Sequence, residues 1–371
     1  MIENRGGWAV ASLGDLNQGH DNNFNLIRVL AAVAVALSHS YLTVTGDPST
    51  RPLIAETGFT LGYHAVNVFF VISGFLVTQS WMRSSSIISF ATARALRIYP
   101  GIIISTLFVT LVLGTAMTAL PATEYLTSPE TYLYLTITAS LVEPSGSLPG
   151  LFLTTPDPIT VNGSLWTLRY EVICYAVLAA LGLFGILNRP RVFAVVAVFA
   201  GTGLLVLSLL PIAHDNTIVF GHFVRFGLNF GLGVVAYQYR SHIPVHWIGV
   251  VALIAITSLA FGQAMYPFLL YVTTAYATFW LAYVPKGKIR LFNKSGDYSY
   301  GIYIYAYPIQ QTLVSLVPDI TPMQMFGAAV AGSLPLAIAS WHLVEHPALR
   351  WKRPLADFIV ENARLAARKP V

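Results

Sequence analysis

The sequence predicts an all-α, polytopic membrane protein with about ten transmembrane helices and both termini in the cytoplasm. Three observations predict it. Of 371 residues, 55% are hydrophobic and only 10% are charged, against about 25% charged in a soluble domain. Apolar runs of roughly 18–22 residues recur along the chain, the length that crosses a bilayer core. The basic residues also segregate. With the N-terminus inside, the outer segments 45–60, 121–163, 212–216, 263–265 and 318–322 hold one basic residue, Arg51. They hold eight acids: Asp47, Glu56, Glu124, Glu130, Glu143, Asp157, Asp215 and Asp319. Lys286, Lys288, Arg290, Lys294, Arg350, Lys352 and Arg353 all fall inside, as the positive-inside rule requires.

In chain order, residues 1–23 form a polar cytoplasmic segment with no cleavable signal peptide. Residues 24–347 form one transmembrane domain, with helices expected near 25–44, 61–81, 97–120, 164–187, 192–211, 217–238, 245–262, 266–284, 298–317 and 323–346. Breakers such as GDPSTRP, EPSGSLPG, NRPR and PKGK separate them. The outer segment 121–163 is the longest connection and reads as a lid or acceptor-binding cap. Residues 348–371 form a basic tail that reads as an interfacial helix near anionic headgroups. Cys174 is the single cysteine, so no intramolecular disulfide forms. The net charge of +5 reflects this topology and does not point to nucleic acid. Gly227 and Gly231 have the G-x-x-x-G spacing of a close helix crossing. The two halves show no matched broken helices, which disfavours an inverted-repeat transporter.

The informative residues are the charges inside apolar helices, since such groups lean functional. In "RVLAAVAVALSHS", Arg28 and His39 are eleven residues apart. At 100° per residue that is about 20° past three full turns, so both share one face, about 16 Å apart along the axis. The blander reading is a snorkelling arginine and a structural histidine. Arg94 and Arg97, at i and i+3, share a face at the inner start of the third helix, with Arg83 nearby. Guanidinium forks suit phosphate oxygens, and ordinary positive-inside flanks are the alternative. Trp166, Arg169 and Glu171 lie at the outer end of the fourth helix. They read as a polar site with Trp166 as a sugar platform, or Glu171 pairs with Arg225 in the sixth helix. "HLVEH" (342–346) fits the H-x-x-E-H zinc pattern, but it ends a helix before Pro347 and lacks a third ligand, so no metal is expected.

Together these stretches resemble the acyltransferase-3 family of membrane O-acyltransferases. Arg28 and His39 match its R-x10-H signature. "GYHAVNVFFVISGFLV" (62–77), ending in Ser73, Gly74 and Phe75, resembles its second-helix signature. "RALR" (94–97) followed by Ile98, Tyr99 and Pro100 is similar to R-x-x-R-I-x-P. "LWTLRYEVICY" (165–175), "YSYGIYIYAYPI" (298–309) and "WHLVEHP" (341–347) resemble three further stretches in the family's order. Asn67 stands where the family often has Asp, and Ala306 where a histidine is common.

The resemblance implies acyl transfer, usually of acetyl, from cytoplasmic acyl-CoA to a hydroxyl of a glycan or glycan-like acceptor, in a bacterial cytoplasmic (inner) membrane. It implies His39 and Arg28 as catalytic, and Arg28, Ser73, Arg83, Arg94, Arg97 and Tyr99 as donor-binding. Trp166, Arg169, Glu171 and Glu345 would serve the acceptor. The competing class is a transporter or flippase for a lipid-linked glycan. It too needs many helices and an intramembrane histidine, but it does not need Arg28 and His39 aligned at donor length on one stripe.

Overall fold

The computed structural model describes residues 11–19, 21–84, 86–142, 146–158, 160–209, 219–294 and 296–367. The polar segment 1–23 and the tail are thus described in part, and Glu143, Asp215 and the junction at 210–218 lie outside the described residues. Among them, every long element is a helix. These are α1 (Phe24–Thr45), α2 (Leu61–Arg83), α3 (Ile87–Leu107, running on to Met117), α4 (Trp166–Leu183) and α5 (Pro190–Ser208). They continue with α6 (Val219–Gln238), α7 (Trp247–Leu259), α8 (Tyr266–Tyr283), α9 (Ser299–Leu316), α10 (Pro322–Ser340, running on to Arg350) and α11 (Lys352–Ala367).

Six of them, α1 to α5 and α10 with their extensions, are long and apolar enough to cross a membrane. Large apolar side chains also stand exposed on the helix surfaces, Phe199 at 77% and Leu259 at 86%. A water-soluble surface does not keep such an arrangement, and the chain is a multi-pass membrane protein. Three segments differ most from their sequence expectation. The fourth helix, expected over 164–187, runs only over Trp166–Leu183. The third helix begins at Ile87, about ten residues before its expected start, so Arg94 and Arg97 lie about 10 and 15 Å along it and not at its end. Their charges had made 87–96 read as a polar flank. The seventh is also shorter than expected: α7 has 13 residues, about 20 Å, against a core of about 30 Å.

The described residues form two compact units. One takes in the residues up to Ile27, Asn67–Thr78 and Ile186–Ser295. In it α5 packs on α6, and α8 packs on both α6 and α7. Phe75 anchors its core, with ring centroids 6.1 Å from Phe24, 5.4 Å from Tyr237 and 5.0 Å from Phe279. Arg225 is buried and donates from Nε to Asn67 Oδ1 at 2.8 Å. The close helix crossing sits at Gly74 and Gly233. A methyl on either would run into the facing backbone, the Phe230 carbonyl for one and the Val71 carbonyl for the other. Gly231 has open space around it and Gly227 meets only Leu204 at 3.5 Å, so the G-x-x-x-G spacing had marked the wrong pair. Gly233→Ala is therefore expected to cost about 1–3 kcal/mol by overpacking, read as a lowered thermal midpoint, while Gly231→Ala leaves it unchanged.

The other unit takes in Arg28–Val66, Gln79–Gly185 and the residues from Gly296 onward. Here α9 packs along α10, and α3 contacts α4, α9 and α11. The described residues of segment 121–163 contain two helices, Ala122–Thr127 and Pro129–Ala139. They pack on α3 where it widens into a π-turn at Phe108–Gly114. The Tyr125 hydroxyl donates to the Thr110 carbonyl at 2.8 Å, and Val109, Tyr134, Leu151 and Val161 close the core beside it.

Candidate active site

Every group of the site described next belongs to the second unit. Arg28 opens it on α1. Its Nη1 lies 2.6 Å from Asp297 Oδ2, and Arg97 Nη2 reaches the same oxygen at 2.5 Å. Arg97 Nη1 also meets Glu345 Oε2 at 3.2 Å, and its guanidinium lies over the rings of Tyr300 and Trp341 at 5.6 and 5.7 Å. Asp297 stands just before α9 and is capped by Ser299, whose hydroxyl and N–H donate to Oδ1 at 2.5 and 3.3 Å. Burial opposes ionisation of Asp297, but Arg28, Arg97 and the Ser299 hydrogen bonds outweigh it and hold the carboxyl at about 2. Gly101 lets α3 approach closely, since a methyl there would sit 2.5 Å from the Tyr300 ring.

Glu345 reaches this cluster because α10 changes its winding. Pro347 cannot donate to the carbonyl four residues back. Just before it the helix widens into a π-turn over Trp341–Glu345, closed by the His346 N–H to the Trp341 carbonyl. Such turns re-aim side chains and are frequent at functional sites. This one brings Trp341 and Glu345 to Arg97, while Ser340 donates to Glu345 Oε1 at 2.9 Å. Glu345, 1% exposed, thus joins the arginine cluster and not the group of Trp166, Arg169 and Glu171 with which it was expected.

His39 lies three turns further along α1. Its Nδ1 is 3.5 Å from Ser164 Oγ, and its ring meets that of Tyr307 at 5.1 Å and 88°. A second proline explains this corner. Pro308 sits inside α9 and leaves the Ile304 carbonyl without a helical donor. In an apolar core that group needs another partner. Asn162 Nδ2 supplies it at 2.9 Å, and Asn162 Oδ1 accepts the Ser164 N–H at 3.2 Å. Tyr307 donates its hydroxyl to Asp157. Gln311 Nε2 donates to the carbonyls of Asp157 and Thr160 at 2.7 and 2.8 Å. Gln310 Nε2 ties α9 to α1 on both sides of His39, at the Ala36 carbonyl and Ser40 Oγ.

The two ends of one helical stripe thus differ in chemistry. One is an arginine cluster with a shared carboxylate, the other an imidazole held against a serine and a tyrosine. A family model described as "Acyltransferase domain" matches residues 21–342, from before Arg28 to the π-turn. The chain belongs to the acyltransferase-3 family. The O-acetyl transferase of Shigella phage Sf6 is 27% identical, over 87% of this chain and 95% of the phage protein. Nodulation protein 10 of Rhizobium leguminosarum bv. viciae is 28% identical over 91% and 96%. The exopolysaccharide production protein ExoZ of Rhizobium meliloti (strain 1021) is 26% identical over 79% and 91%. No solved structure matches the chain. Family and relatives together place this acyltransferase-3 protein among the O-acetyltransferases.

The remaining expected residues of the acyltransferase-3 chain are less gathered. Arg94 donates from Nη2 to Ser80 Oγ at 3.4 Å and lies 5.9 Å over the Tyr175 ring, whose hydroxyl donates to Glu171. Glu171 therefore leads toward Arg94, through Tyr175 one turn further into α4. Trp166 and Arg169 both contact Tyr170, the ring pair at 5.9 Å and the guanidinium at 5.4 Å, and Arg169 also donates to the Val142 carbonyl at 3.1 Å. Arg83 ends α2 in an exposed position, Tyr99 is half-buried on α3, and Ser73 is buried in the first unit. Sequence reasoning missed Asp297, Asn162, Ser164 and Tyr307. Asp297 carried a signal, an acid just after the basic run Lys286, Lys288, Arg290 and Lys294. Asn162 and Ser164 carried one too, since Pro308 demands a donor for the Ile304 carbonyl.

Proposed function

We propose that this O-acetyltransferase takes an acetyl group from acyl-CoA at the cytoplasmic face and passes it to a glycan hydroxyl, with His39 as general base. The observation that supports it is the α1 stripe, with Arg28 inside the Arg97–Asp297–Glu345 cluster and His39 in the Ser164–Tyr307 pocket. The donor's phosphates cannot enter an apolar core, so the nucleotide stays at the arginine end. The fit is chemical: the buried Nε atoms of Arg28 and Arg94 have no hydrogen-bond partner among the described residues. A guanidinium has five N–H groups, and phosphate oxygens are their natural acceptors. The pantetheine arm then follows the stripe for about 16 Å. The acceptor hydroxyl attacks the thioester carbonyl as His39 removes its proton, and the departing thiolate takes that proton back.

The relative named for exopolysaccharide production points to a glycan as the acceptor class. Ten membrane crossings, both termini inside and a bacterial inner membrane complete the reading, with Trp166, Arg169 and Glu171 on the acceptor side. The test is thermal stabilisation of the purified protein by CoA. Wild type and His39→Ala should both be stabilised and Arg28→Ala should not. Equal stabilisation of all three contradicts the donor site.

A further inference from the structure

His39 rests in a socket that α1 does not build. Ser164 stands two residues before α4, and Tyr307 sits mid-way along α9. Both are fixed by contacts that do not involve His39. Ser164 is held through Asn162, which is itself pinned to the proline-freed carbonyl of Ile304. Tyr307 is held through Asp157, and Gln311 grips the backbone there at the carbonyls of Asp157 and Thr160. Gly163 completes the fit, because a methyl there would lie 2.7 Å from the Tyr307 ring. A side chain that must hold another within tenths of an ångström needs such independent support. Ser164 and Tyr307 are 2% and 1% exposed, too enclosed to meet a glycan themselves.

A neutral imidazole has one N–H and one lone pair, and the partner of one nitrogen decides the role of the other. We infer that Ser164 is a positioning residue for His39: its Oγ accepts the Nδ1 proton while Tyr307 sets the plane of the ring, so that Nε2 presents its lone pair to the acceptor hydroxyl. This rests on the reading of His39 as general base. No covalent bond to Ser164 is involved; the serine fixes a tautomer and an orientation. In water an imidazole prefers its proton on Nε2, the wrong nitrogen for this geometry, so the socket supplies what the ring alone does not.

The test uses the full-length protein in two measurements. The first is steady-state transfer from labelled acetyl-CoA by wild type, Ser164→Ala, Ser164→Thr and His39→Ala. Ser164→Ala should lower kcat by about 10- to 100-fold, with the KM for acetyl-CoA unchanged. Ser164→Thr, which keeps the hydroxyl, should recover most of it. The second is the spectrum of protein labelled with ¹⁵N-histidine, with His39 assigned by its loss in His39→Gln. Wild type should show His39 protonated on Nδ1, and Ser164→Ala should move the proton toward Nε2. An Nε2-protonated His39 in wild type overturns the inference without any variant having to fold. Wild-type kcat in Ser164→Ala beside an inactive His39→Ala overturns the inference alone. Full activity in His39→Ala overturns the general base as well. An acetyl group trapped on Ser164 overturns positioning and makes the serine a nucleophile.

Discussion

His39→Ala lowers kcat for acetyl transfer by about 10²–10⁴-fold, the range over which a positioned general base contributes, and leaves donor affinity near wild type. The split follows from position. His39 stands three turns along α1 from the Arg28–Asp297 pair, so removing its imidazole leaves the arginine end intact. A parallel fall in kcat and kcat/KM marks an interaction made only in the transition state. A raised KM with unchanged kcat would make His39 a binding residue.

Asp297→Ala is the substitution with the largest expected effect on stability. Its carboxylate is shared by Arg28 and Arg97, and the three side chains are 8%, 20% and 15% exposed. Removing it leaves two enclosed guanidiniums facing each other, and breaking a buried pair typically costs about 3–5 kcal/mol. A steep fall in thermal midpoint and in folded yield is expected. Glu345→Gln is expected to cost less, because Arg97 keeps Asp297. Acid gives an orthogonal check on the sign. A carboxyl lowered to about 2 in the folded chain contributes stability that is fully present above its unfolded value, and that is lost as the pH falls through 2. The excess stability of wild type over Asp297→Asn should therefore hold down to about pH 4 and vanish between pH 4 and 2.

What was legible in the sequence followed from local pattern. Apolar runs bounded by Gly and Pro marked α1, α2 and α4 to α6 within a few residues, and the 100° step put Arg28 and His39 on one face. The start of α3 was illegible because Arg94 and Arg97 weigh against an apolar helix. The charge of Arg97 is answered by partners 200 and 248 residues away, Asp297 and Glu345, while Arg94 reaches Ser80 and lies over the Tyr175 ring. Asp297 stands out in the sequence only as an acid after a basic run, and its partners show only when Arg28 of α1 and Arg97 of α3 are seen to meet it. Glu345 was misplaced because straight winding does not foresee the π-turn before Pro347. Gly227 and Gly231 had the expected spacing, yet Gly74 and Gly233 make the close approach. Spacing names a face, and only the partner helix shows whether that face is used.

The most direct measurement is product analysis after purified protein, labelled acetyl-CoA and a glycan acceptor are incubated together, with wild type beside His39→Ala. The expected result is an ester-linked labelled acetyl group on a glycan hydroxyl in wild type, with one free CoA released per ester, and almost none in His39→Ala. Unconsumed acetyl-CoA in wild type, with glycan crossing reconstituted vesicles unmodified, would contradict the transfer chemistry and favour a flippase.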